Sequence, residues 1–248
     1  MKNKNLIACS GKIGSGKDTV ASIIQYLTSE LYRIDKFTFI EFQNYGKPID
    51  WGWTGPYQIK KFAGKLKEIV VLLTGCTLKD LEDQDFKNKE LSSEWGKSQM
   101  MVKAPTYREL LQYIGTNALR DKIHENIWVN ALFADYKPEG LNKDGFFEQE
   151  MFGDKVLSVP HPILDMELYP KWIISDMRFP NELEAVKKRG GITIRINRDN
   201  GTRAIDLNPH PSETALGNAE FDHIIDNSFD INGLVDQVKN ILQMEDII

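Results

Sequence analysis

The chain has 248 residues, 41% hydrophobic and 27% charged, with 31 basic against 36 acidic side chains for a net charge of −5. That length buries a sizeable core in one large domain or two small ones. No run of like charge exceeds Lys187-Lys188-Arg189, so the broad basic face that sequence-independent polynucleotide binding needs is missing. The cysteines Cys9 and Cys76 form no CxxC pair, the four histidines are scattered, the start MKNKN is polar, and no apolar run nears the roughly 20 residues of a membrane span. These features argue against a metal-ligand motif, a secretory leader and a membrane anchor, and for a soluble protein of a reducing cytoplasm.

Leu6-Ile7-Ala8-Cys9 is a short apolar run ending at Ser10-Gly11, and Val20, Ile23, Ile24, Leu27 and Leu31 recur beyond it at helical spacing. The sequence thus predicts strand, glycine loop, helix. Phe37-Thr38-Phe39-Ile40 reads as a strand, about 41–58 as a Gly/Pro/Trp-rich insertion, and Ile59 to Phe62 as another short strand. Apolar periodicity predicts helices at about 64–74, 106–119 and 127–136, with a polar linker over 77–105. Residues 137–170 have no sustained period and read as a second insertion. Regularity returns with Trp172-Ile173-Ile174-Ser175-Asp176, a strand ending in an acid, and with a helix that Pro180 opens and Gly190-Gly191 closes. Ile192, Ile194 and Ile196 alternate as a strand, 198–219 is a loop, Ile224-Ile225 a last short strand, and Ile231 to Leu242 a C-terminal helix. Strands alternating with helices predict an α/β fold, a parallel sheet covered on both faces, in one domain over 1–248.

Gly11-Lys12-Ile13-Gly14-Ser15-Gly16-Lys17-Asp18-Thr19 carries the chemistry. Backbone N–H groups of such a loop converge on phosphate oxygens, glycines permit close approach, and the next helix offers its positive end. GxxxxGK arises by chance in a chain this long with a probability of roughly 5–10%, so its place between an apolar strand and an amphipathic helix decides the reading. Lys12, Gly14, Ser15, Gly16 and Lys17 are the candidate contacts to ATP. Asp18 stands where a hydroxyl usually follows the lysine, and the hydroxyl comes next, at Thr19; both are candidate Mg²⁺ ligands, the plain alternative for Asp18 being an acid suited to a helix's first turn. Nucleoside monophosphate kinases of the adenylate kinase type share that order.

The second constellation is Asp176-Met177-Arg178-Phe179-Pro180-Asn181-Glu182. An acid at the carboxyl end of a strand in an open α/β sheet faces the ligand crevice, where it can organise Mg²⁺ or orient an acceptor, unless it only caps the following helix. Arg178 brings a fork suited to phosphate. Lys17, Asp18, Asp176 and Arg178 are therefore the candidate catalytic residues.

With these blocks the chain resembles the bacteriophage-type deoxynucleoside monophosphate kinases, a branch of the P-loop kinases with a distant likeness to phosphomevalonate kinase. The resemblance rests on GKIGSGKDT, on Phe62-Ala63-Gly64-Lys65-Leu66-Lys67-Glu68, on Tyr107-Arg108-Glu109-Leu110-Leu111-Gln112 with Gly115-Thr116 and Arg120 ahead of Trp128, on SDMRFPNE and on His210-Pro211-Ser212-Glu213. It implies a P-loop NTPase fold with a mobile lid at about 198–214, where Arg203 or Arg198 reaches the donor phosphates. It also implies phosphoryl transfer from ATP to a deoxynucleoside monophosphate with Mg²⁺. Lys67, Arg108, Gln112, Arg120, Trp128, Asp176, Arg178 and Glu182 are the acceptor-side candidates. The acceptor phosphate is already mostly dianionic at neutral pH, so a site rich in Arg and Lys and poor in His–Asp pairs suits the reaction. Phosphorylation of another phosphorylated acceptor, such as phosphomevalonate, and a non-catalytic nucleotide switch are the alternatives; a homodimer stays open.

Overall fold

The computed structural model describes residues 2–29, 32–33, 38–45, 56–96, 103–138, 169–198, 214–228 and 230–248. In chain order the elements begin with β1 (Asn3–Ser10), α1 (Lys17–Thr28), α2 (Phe39–Tyr45) and β2 (Gln58–Lys60). Four helices follow, α3 (Gly64–Thr74), α4 (Gln84–Lys87), α5 (Tyr107–Gln112) and α6 (Ile127–Phe133). The chain closes with β3 (Trp172–Met177), α7 (Pro180–Lys188), β4 (Gly191–Asn197), β5 (His223–Asp226) and α8 (Ile231–Met244). Backbone proximity divides it into two compact units, one of Met1–Lys60 with Tyr136–Ile248, the other of Lys61–Asp135.

The first unit is built on a five-stranded sheet in the order β2-β3-β1-β4-β5. Every pairing is parallel, as the alternation of strands and helices predicts. β1 lies at its centre, with Ile7 opposite Ile173 of β3 on one side and Ile192 of β4 on the other. Leu6, Ile7, Ala8 and Cys9 are fully buried, which is why β1 reads as an unbroken apolar run rather than an alternating one. Successive side chains point to opposite faces. Ile7 and Cys9 join Val20, Ile23, Ile24 and Leu27 of α1 and Leu234, Val238 and Leu242 of α8 in one core. Leu6, pointing the other way, meets α7: Leu6 and Val186 fill the space over Gly191 so closely that an added Cβ would lie 2.8 Å from Val186.

The strand predicted at 37–40 is instead the entry to a helix, α2; Phe37 itself lies outside the described residues. Thr38 N–H donates to Glu41 Oε2 at 2.7 Å and Glu41 N–H to Thr38 Oγ1 at 3.3 Å, a reciprocal cap that overrides the β propensity of Phe-Thr-Phe-Ile. Phe39 and Phe42, one turn apart, then both reach the Tyr26 ring, with centroids at 5.6 and 5.4 Å.

The second unit is helical. Its core is Val70, Leu81, Leu91 and Leu110, with Leu66, Phe86, Tyr107 and Ile114 packed against it. The predicted helix over 106–119 is α5, opened by a Thr106–Glu109 capping box, and then a π-helical turn over Tyr113–Ala118. Gly115 in that turn lets Leu66 of α3 pack close, since a Cβ there would stand 2.8 Å from the Leu66 side-chain tip. The polar linker holds a 3₁₀ turn, Asp80–Glu82, and α4, whose capping Asp83 accepts from Phe86 N–H at 2.8 Å. Among the described residues no helix is long and apolar enough to cross a membrane.

Candidate functional site

Six residues join β1 to α1, and two of them turn left-handed, Gly14 at φ 76° and Gly16 at φ 96°. Only glycine adopts that backbone without strain, which explains the spacing of the motif. Ser15 N–H bonds to Lys12 O at 3.1 Å, and Val20 N–H to Gly16 O at 2.9 Å starts the helix. The Lys17 side chain is buried, its ammonium donating to the carbonyls of Gly11 at 2.7 Å and Lys12 at 2.8 Å. A curled loop feeding a helix N-terminus is an anion site in waiting.

The loop is held from the far edge of the sheet. Asn227, just past β5, is anchored by its backbone N–H to Asn197 O at 2.7 Å, and its side-chain amide donates to Ser15 O at 2.8 Å. A Cβ on Gly16 would lie 2.4 Å from that amide nitrogen; one on Gly11 would lie 2.5 Å from Ile196 O. Ser15 Oγ is buried and has no hydrogen-bond partner among the described residues. A buried hydroxyl in that condition costs free energy until something bonds it, so its place in the loop favours a ligand with acceptor oxygens.

Asp18, in the first turn of α1, accepts a hydrogen bond on Oδ1 from Ser175 Oγ of β3 at 2.9 Å. That bond joins the glycine loop to the strand end carrying Asp176, the penultimate residue of β3, with Arg178 one residue beyond the strand. Both are half-buried. Glu182 is 2% exposed, and its Oε2 accepts from the backbone N–H of Arg178 at 2.7 Å and of Phe179 at 3.1 Å. It caps α7 and fixes the backbone that presents Arg178. Arg195, which the sequence pattern does not single out, donates to Ser10 Oγ at 3.2 Å beside the loop's start. Cys9 lies beneath with its thiol pushed up by burial to about 12, which leaves it no role as a nucleophile.

The remaining acceptor-side candidates belong to the second unit. Lys67 of α3 pairs with Glu82, and Arg108 of α5 donates from Nε to Asn88 Oδ1 at 3.0 Å and from Nη2 to Gln84 Oε1 at 2.9 Å. Gln112 is exposed and Arg120 half-buried. Trp128 is buried, its indole N–H given to Gly115 O at 2.8 Å. Arg203 lies outside the described residues, as do 139–168 of the second insertion and 199–213 of the lid-like segment; Arg198 is exposed at the end of the described stretch.

Among the described residues no group of three or more His, Cys, Asp or Glu could hold a metal by itself. Mg²⁺ is ordinarily held by one or two carboxylates plus phosphate oxygens and water, and the oxygen donors Asp18 and Thr19 at the loop suit that shared arrangement. Asn227 and Arg195 are site residues that sequence reasoning misses, and Ser175, though it opens the SDMRFPNE block, is assigned no role there. Asp226-Asn227-Ser228 carries no signal beyond a turn.

A parallel sheet whose central strand delivers a lysine-bearing glycine loop to a helix N-terminus, beside an acid at the next strand's end, defines an α/β fold of the P-loop kind. No family model matches the chain. The chain is similar to a protein of Acanthamoeba polyphaga mimivirus described as "Putative deoxynucleotide monophosphate kinase", 29% identical over 237 residues, covering 94% of this chain and 93% of that one.

Proposed function

We propose that this protein is a kinase that transfers the terminal phosphoryl group of ATP to a deoxynucleoside monophosphate, giving the diphosphate. The observation that carries the reading is the Ser175–Asp18 hydrogen bond, which brings the lysine-bearing loop and the Asp176–Arg178 strand end into one arrangement. The resemblance over most of the chain, and the similarity to the mimivirus protein over nearly its full length, favour a deoxynucleoside monophosphate as the acceptor.

In this reading the backbone N–H groups of Gly14, Ser15 and Gly16 hold the donor phosphates, with the exposed Lys12 at their rim. Lys17 exchanges its two carbonyl partners for phosphate oxygens. Asp18 and Thr19 would hold a Mg²⁺ ion, which would supply charge neutralisation to the phosphates, and Ser175 keeps Asp18 in its rotamer. Asp176 would orient the acceptor or help organise that ion, and Arg178, its backbone fixed by Glu182, stabilises charge on the transferring group. Lys67, Arg108, Gln112 and Arg120 are the acceptor-side residues of this reading, with Trp128 beside them, and Arg203 or Arg198 is its donor-side arginine. No residue has to act as a strong base, since the acceptor oxygen arrives ionised.

The test is ADP formation from Mg·ATP against each of the four deoxynucleoside monophosphates, the ribonucleotides and phosphomevalonate. Turnover with a deoxynucleotide supports the reading. Turnover with phosphomevalonate alone moves the acceptor class, and acceptor-independent nucleotide binding without turnover makes the protein a switch. Lys17→Ala and Arg178→Ala should each lower kcat by about 10²-fold or more with the fold intact, and Arg178→Lys should recover little of it. Asp176→Asn should do the same to kcat, since Asn serves as well as Asp in a helix cap but not beside a metal. Asp18→Asn should shift the Mg²⁺ dependence. Near-normal kcat in Lys17→Ala and Arg178→Ala together would sink the assignment.

A further inference from the structure

Gly16 stands at φ 96°, and glycine takes either sign of φ at little cost, so residue 16 does not itself decide which way the Ser15–Gly16 peptide faces. That peptide is trans, and a trans peptide is planar with its C=O and its N–H on opposite sides. The Asn227 side chain donates from Nδ2 to Ser15 O at 2.8 Å. It thereby turns the carbonyl toward itself and the Gly16 N–H the other way. A loop that cradles phosphate works through main-chain N–H groups turned to one side, so an outside hold on this peptide bears on ligand binding and not only on stability.

Asn227 is 9% exposed, and the turn that carries it is tied down along its length. Its own N–H donates to Asn197 O at 2.7 Å. Asp226, the last residue of β5, is in register with Asn197 of β4, yet both of its main-chain groups go to Gln237 of α8. Asp226 N–H donates to Gln237 Oε1 at 3.1 Å, and Gln237 Nε2 donates to Asp226 O at 2.8 Å. β5 is the outermost strand, so the Gln237 amide satisfies on its open side the donor and acceptor that a further strand would have paired. Ser228 completes the turn, donating to Asp226 Oδ1 from its N–H at 3.1 Å and its Oγ at 2.6 Å. Only a side chain that both donates and accepts can serve Asp226 in this way; a carboxylate accepts only.

We propose that Gln237 and Asn227 are positioning residues for the donor phosphates: Gln237 fixes Asp226, Asp226 delivers Asn227, and Asn227 holds the Ser15–Gly16 peptide with the Gly16 N–H turned to the phosphates. That the phosphates are those of ATP rests on the function proposed above; the clamp itself rests on the hydrogen bonds. Neither side chain has to touch the nucleotide. Gln237 lies in the C-terminal helix, outside every motif that the sequence offers for the loop.

Calorimetric titration of the full chain with Mg·ATP, and separately with a deoxynucleoside monophosphate that supports turnover, or with dTMP if none does, tests this. Gln237→Met keeps the length of the side chain and loses both bonds, and Gln237→Glu keeps the acceptor and loses the donor. Asn227→Ala should weaken ATP about tenfold, the effect of one lost hydrogen bond to a charged oxygen, and each Gln237 variant about three- to tenfold. Affinity for the monophosphate should stay within about twofold of wild type in all of them, since the clamp touches only the donor loop. Gln237→Met/Asn227→Ala should bind ATP no more weakly than Asn227→Ala, because Gln237 acts through Asn227. A glutamine that merely braces α8 would lower the melting temperature and leave ATP affinity alone, or would weaken both ligands alike. The proposal is overturned by either of those patterns, by ATP affinity near wild type in folded Asn227→Ala, or by a double variant weakened by the product of the single effects. The titration needs no turnover. If no acceptor supports ADP formation while ATP binding follows the expected pattern, the kinase reading falls and the clamp stands. If acceptor-dependent ADP formation is found and the variants bind ATP like wild type, only the clamp falls.

Discussion

Gly16→Ala is the sharpest perturbation the loop offers, because two separable costs meet at one added carbon. At φ 96° an L-residue lies in the left-handed region, which costs about 1–2 kcal/mol. The new Cβ would also stand 2.4 Å from the Asn227 amide nitrogen, so that side chain must leave Ser15 O, and an unmade hydrogen bond between buried groups costs about 1–3 kcal/mol more. Together these come to roughly 2–5 kcal/mol, which for a chain of this length lowers the melting temperature on the order of 10 °C. Asn227→Ala alone should cost only the second part. The Gly16→Ala/Asn227→Ala double variant should be no less stable than Gly16→Ala, because the bond can be lost only once. Denaturant unfolding of the four proteins measures the cycle, and titration with a fluorescent ATP analogue reports whether the loop keeps its shape. Fully additive costs, or a Gly16→Ala protein within about 0.5 kcal/mol of wild type, would show that Asn227 does not brace the loop.

Two further perturbations probe the rest of the molecule. Trp128→Phe keeps the buried ring but strands the Gly115 carbonyl, so unfolding should show a loss of about 1–3 kcal/mol; a changed acceptor KM with unaltered stability would instead mark Trp128 as a ligand contact. Near the N-terminus, Glu245 is raised by burial but held below its ordinary 4.5 by hydrogen bonds from Lys2 and His223, and Asp222 likewise below 3.8 by Thr193 and Lys2. Depressed carboxylates stabilise the fold above their unfolded values and lose that contribution as pH falls through the folded ones, so stability should drop on acidification below about pH 4.5. Lys2→Met should flatten that drop, and identical stability–pH curves for variant and wild type would refute the coupling.

The parts of this molecule that declare themselves in sequence are those whose causes are local. The glycines at 14 and 16 and the lysine at 17 are fixed by the backbone geometry of their own loop, and the strand at 172–177 by burial on both faces, so spacing and apolarity suffice to find them. Thr38 and Glu41 were equally local, yet the β-prone residues between them hid a capping pair that decides for helix. Asn227 is of another kind: its bond spans 212 positions, and nothing near residue 227 records what the sheet brings beside it. Glu82 is likewise an ordinary acid in sequence, and only the 3₁₀ turn places it against Lys61 and Lys67.

The sheet's outermost strands carry a consequence for how copies of this chain meet. β2 has three residues and β5 four, whereas β1 at the centre has eight. An edge that short presents few unpaired backbone groups to an incoming strand, and β2 ends in Lys60, whose ammonium lies 5.1 Å from the centre of the Trp172 ring and puts charge at that border. Extension of the sheet from one molecule into the next therefore gains little hydrogen bonding on either side. Among the described residues, a pair formed in solution finds more to build on in helices and loops than at these two edges.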